Sequence, residues 1–107
     1  MKFQVNGNEW KIIFVNALSK QLMRSDGSYT IGVSDNNLKT VFISDNLSEY
    51  MVNKVLCHEL THVYCFEKGY SVDIETEEII ADFMSLYGRD VIYLADTILN
   101  SVMRNIA

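Results

Sequence analysis

Residues 55–66 read Val55-Leu56-Cys57-His58-Glu59-Leu60-Thr61-His62-Val63-Tyr64-Cys65-Phe66 and contain the only two histidines of the chain. The histidines stand four apart, which on an α-helix places them on one face, about 40° apart around the axis. Two imidazoles so placed can reach a single ion at Zn–N distances of about 2.0–2.1 Å. Glu59 follows the first histidine, where its carboxylate can face an open coordination position and accept a proton from an activated water. The HExxH pattern therefore points to zinc-dependent hydrolysis, with His58 and His62 as ligands and Glu59 as general base.

Working outward, Asn46 and Glu49 have capping-box spacing and Ser48 is a rival N-cap, so a helix is expected to begin there. Met51, Val52, Val55, Leu56, Leu60 and Val63 recur at intervals of three and four, and Gly69 suits the residue just past the helix end. Asp73 can cap a second helix whose first turns carry Glu75, Glu77 and Glu78, favourable against the helix dipole. An apolar stripe from Ile79 to Ile106 extends that helix and reads as core or as a helical dimer surface. Gly88 is expected to divide it, since an unbroken 30-residue helix is uncommon in a small domain.

The first half reads as strands. Phe3 and Val5 alternate with polar neighbours, Asn6-Gly7-Asn8 is a turn signal, and residues 10–15 form the next apolar run. Ala17 to Met23 suits a short helix or loop. Turns at 25–28 and 35–37 bracket strands at 29–33 and 40–44. The expected fold class is α+β: a small, mainly antiparallel sheet of three or four strands packed on the HExxH helix and C-terminal helices. Trp10, Phe14 and Phe42 are expected in the core.

The 107 residues suit one domain, spanning 1–107, that buries about 65% of the surface its unfolded chain exposes. A hydrophobic content of 49% with 21% charged residues and no proline is that of a globular domain without an interdomain linker. The net charge of −5 argues against nucleic-acid binding, because no basic patch is available to neutralise phosphates. There is no apolar signal core and no run of transmembrane length, so no membrane partner is expected and a cytoplasmic location is the default. Cys57 and Cys65, eight apart on one helix, are about 12 Å apart in rise alone and cannot be bridged; they read as small apolar residues.

A third ligand is needed, and with no third histidine a carboxylate fits a His₂Glu site. Glu67 lies about 140° from His62 around the helix and points away. Glu78 and Asp82 stand four apart on one face, so one can bind the metal while the other accepts the ring N–H of a liganding histidine, fixing its orientation. Glu75 shares that face and is the main rival to Glu78. Glu77 projects about 100° away and reads as a solvated residue.

His58-Glu59-Leu60-Thr61-His62 followed by Glu78 with Ala81-Asp82-Phe83 resembles the gluzincins, the thermolysin-like branch of zinc peptidases. Within them it is most similar to the ImmA/IrrE-type metallopeptidases, which include small phage-encoded members. The resemblance covers roughly residues 29 to 87. It implies a minimal zincin-like fold and Zn²⁺ held by His58, His62 and Glu78. It further implies Glu59 as general base, Asp82 supporting a histidine, and Thr40–Ser44 as a sheet edge on which an extended peptide pairs. Phe83 directly follows Asp82, where the family more often has a residue between.

The reading is a zinc metalloendopeptidase acting on a protein or peptide substrate. An oxyanion donor should be a tyrosine or a backbone N–H, and the six tyrosines are not separable by sequence. The alternative is a zinc-binding interaction module that engages a regulatory protein without cutting it. His₂Glu with an open position favours zinc over manganese or iron. Oligomeric state is not legible.

Overall fold

The computed structural model describes residues 1–106. Strands β1 (Lys2–Val5) and β2 (Asn8–Val15) form a hairpin. Its two-residue turn takes positive φ at both Asn6 (53°) and Gly7 (82°), the primed geometry that matches strand twist. A 3₁₀ turn at Lys20–Leu22 follows, capped by Ser19. Then come β3 (Gly32–Asp35) and β4 (Thr40–Ser44).

The strand order is β1-β2-β4-β3. The two outer pairings are antiparallel and the central β2–β4 pairing is parallel, with Ile13 opposite Phe42. A parallel pair needs a long crossover, and residues 16–39, including β3, provide it. The sheet is thus mixed, with its antiparallel pairs outside.

This topology corrects one expectation. Thr40–Ser44 is not an edge strand: β4 lies between β2 and β3, and all five of its residues are buried. A run of Val41, Phe42 and Ile43 without polar alternation is the pattern of a strand covered on both faces. The edge beside the HExxH helix is β3.

Helix α1 (Glu49–Lys68) is capped by Ser48, whose hydroxyl accepts from Met51 N; Asn46 instead accepts from Ser44 Oγ at 2.6 Å. Gly69 ends the helix at φ 71°, the left-handed conformation that glycine adopts without penalty. The core joins Val55 and Val63 of α1 to Val5, Trp10, Val41 and Ile43 of the sheet. Each such side chain contributes about 1.5–3 kcal/mol by leaving water. Phe42 is buried, but Phe14 is 51% exposed, contrary to expectation. It shares the Trp10 face of β2 by period two, yet stands near the strand end where that face is uncovered.

Helix α2 (Ile74–Phe83) is capped by Asp73, which accepts from Thr76 N at 2.8 Å. It runs through a π-helical turn at Met84–Gly88 into α3 (Arg89–Ile106). Gly88 therefore closes a π-bulge rather than separating two helices. Among element pairs α3 packs chiefly against this turn. Its apolar side chains, among them Ile92, Leu94, Ile98, Leu99 and Met103, are exposed, so the stripe is not core in this chain. No described helix is long and apolar enough to cross a membrane. Both cysteines are free and partly buried. Burial, and secondarily the Glu77 charge, push the Cys65 thiol up.

Candidate metal centre

Helix α1 presents His58, Glu59 and His62 toward a cleft of about 770 Å³ floored by the helix and walled by β3 and α2. The four-residue spacing turns both rings the same way, with centroids 5.0 Å apart. Their Nε2 atoms lie 3.2 Å from each other.

Glu78, from α2, meets both. Its Oε1 is 2.7 Å from His62 Nε2 and its Oε2 is 3.3 Å from His58 Nε2. One ligand atom from each of His58, His62 and Glu78 falls within 4.8 Å of the others, a spacing that could hold a metal ion. Glu75, the rival by sequence, is exposed and stands outside this cluster.

The outward nitrogens are held by further carboxylates. His58 Nδ1 lies 3.0 Å from Asp82 Oδ1, a carboxylate 66% exposed. His62 Nδ1 lies 2.8 Å from Glu77 Oε1, and both of those side chains are more than nine-tenths buried. Both nitrogens of each ring thus face a carboxylate: Asp82 or Glu77 at Nδ1 and Glu78 at Nε2. A ring that donates its Nδ1 hydrogen to the carboxylate behind it leaves Nε2 as a lone-pair donor, the form in which imidazole binds a metal. The donor set fits a His₂Glu metal site, with carboxylates orienting the ligands from behind.

Glu77 corrects the sequence reading, which gave it to solvent. Adjacent positions on α2 diverge by about 100°, but an imidazole offers two nitrogens on different edges, so Glu77 and Glu78 grip the same ring. A stoichiometric signal is present in the sequence: two liganding histidines usually take two orienting partners, and Asp82 can serve only one. Glu67 does point away. Its oxygens accept from Trp10 Nε1, Asn8 Nδ2 and Lys39 Nζ, tying the end of α1 to the sheet.

Glu59 is 6% exposed. Burial raises its carboxyl above the usual carboxylate range, against the pull of a Ser34 hydroxyl bond and then of His58 and His62. Ser34 comes from β3, and no motif or spacing in the sequence marks it. None of the six tyrosines lines the cleft among the described residues. Besides the histidines, Arg24, Thr30, Ser34, Lys54 and Ser85 bring side-chain donors to its lining.

Residues 9–99 match the family model described as Peptidase_M78, IrrE N-terminal-like domain. No curated protein and no solved structure matches the chain.

Proposed function

Because this chain belongs to the Peptidase_M78 (IrrE N-terminal-like) family, we propose that it is a zinc-dependent endopeptidase that cleaves a protein or peptide substrate. The observation that carries this reading is the convergence of His58 Nε2, His62 Nε2 and the Glu78 carboxylate within 4.8 Å of one another. A zinc ion held there would supply Lewis acidity, lowering the pKa of water and polarising a scissile carbonyl.

The chain's own residues do the rest. Asp82 and Glu77 hold the two rings in the tautomer that leaves Nε2 free. Glu59 receives the proton lost by the attacking water and returns it to the leaving amine. The free edge of β3 offers main-chain groups to an extended peptide, which would lie along the cleft beside Glu59. Donors for the developing oxyanion come from Arg24, Lys54 or β3 amides rather than from a tyrosine.

The test begins with elemental analysis of protein purified without chelator, wild type beside His62→Ala. About one zinc per wild-type chain, lost in the variant, supports the site. Cleavage of a quenched-fluorescent peptide pool by wild type but not by Glu59→Gln supports proteolysis. Absence of metal even after zinc is offered would overturn the proposal.

A second reading is a zinc-stabilised binding module, favoured by the exposed apolar side chains along α3. Partner capture that survives Glu59→Gln, in a chain that cleaves nothing, would select it.

A further inference from the structure

We propose that Ser34 is a positioning residue for Glu59, an inference that rests on the reading of Glu59 as general base. Ser34 Oγ lies 2.8 Å from Glu59 Oε1 and 3.0 Å from the Glu59 backbone carbonyl. The hydroxyl has one hydrogen, and the carboxylate oxygen is both the nearer and, when ionised, the stronger acceptor for it. The other carboxylate oxygen, Oε2, faces the metal cluster, 4.0 Å from His58 Nε2. The two oxygens of the base are thereby divided: one is tied to the strand and the other is left for the proton.

The strand is shaped for this approach. A Cβ on Gly32 would stand 2.5 Å from Val55 Cγ1, 3.2 Å from Glu59 Cγ and 3.3 Å from Glu59 Oε2. The missing side chain lets β3 lie against α1 closely enough for Ser34, two residues on and on the same face, to reach the carboxylate. A hydrogen bond to an ionised carboxylate is roughly twice as strong as a neutral one. It removes the freedom of a side chain that otherwise keeps only packing to hold it. Misplacing a reacting group by about 1 Å can cost on the order of 10²-fold in rate.

Two measurements on the zinc-loaded full chain test the inference. In the first, a quenched-fluorescent peptide pool is cleaved by wild type, Ser34→Ala and Ser34→Thr. Ser34→Ala is expected to lower kcat by about 10–100-fold with little change in KM and in zinc stoichiometry, and Ser34→Thr, which keeps the hydroxyl, to recover most of it. In the second, crystal structures of zinc-loaded wild type and Ser34→Ala are compared, with Glu59 expected to leave its wild-type position only in the variant. If Ser34→Ala fails to fold, Ser34→Cys, whose thiol fills the space but donates weakly, replaces it. Wild-type kcat in Ser34→Ala, or an unmoved Glu59, would overturn the proposal. Cleavage by Glu59→Gln at the wild-type rate would instead overturn the assignment of the base. If wild type cleaves no peptide, the crystallographic comparison alone decides whether Ser34 sets the place of Glu59.

Discussion

His62 is gripped from behind by Glu77, Nδ1 to Oε1 at 2.8 Å, with neither side chain more than 9% exposed. The corresponding pair at His58 uses Asp82, which is 66% exposed. Water screens and competes for the second pair far more than the first. Glu77→Gln should therefore weaken zinc binding by about 10–100-fold, and Asp82→Asn by less. Chelator competition measures both. A larger loss in Asp82→Asn would mean that burial does not set the rank.

Glu78→Ala should weaken zinc binding more than Glu75→Ala or Glu77→Gln. Glu78 is the only one of the three whose oxygens lie at hydrogen-bonding distance from Nε2 of both rings. Equal losses at positions 75 and 78, in the same competition assay, would remove Glu78 as the ligand.

Gly32→Ala drives a methyl into Val55 Cγ1. Overpacking of this kind costs about 1–3 kcal/mol. Val55→Ala removes the clashing carbon, so the two changes should be non-additive, with Gly32→Ala milder in the Val55→Ala background. Urea unfolding of the four proteins provides the cycle. Strict additivity would show that the strand does not press on the helix here.

Hydrogen bonds from Lys39, then Asn8, hold the Glu67 carboxyl below the usual carboxylate range. A depressed folded-state pKa stabilises the fold at pH values above the unfolded pKa, and the contribution fades as pH falls through the folded one. Glu67→Gln should thus be less stable than wild type near neutral pH. The gap should close as the pH is lowered through and below the carboxylate range. Chemical denaturation across that range checks it; a gap that widens on acidification would reverse the sign.

Amide hydrogens in α3 should exchange faster than those in α1, because α3 packs chiefly against the π-turn whereas α1 contributes Val55 and Val63 to the core. Slow exchange along α3 in dilute protein would indicate that its apolar side chains are covered in solution.

Sequence alone determined what helical periodicity and local capping control. His58 and His62 share a face because they are four apart, and Glu78 and Asp82 pair for the same reason. Gly69 and Asp73 bound their helices by backbone and side-chain rules that need no tertiary contact. The α+β division followed from the change of hydrophobic period along the chain. Only the tertiary structure decided what crosses between elements. Which strand forms the edge depended on β2 and β4 pairing in parallel around an intervening β3, a long-range choice that strand patterns do not encode. Glu77 reaches His62 across 15 residues, and Ser34 reaches Glu59 across 25. Neither contact leaves a spacing in the sequence, because the distance that matters is set by how α2 and β3 pack on α1.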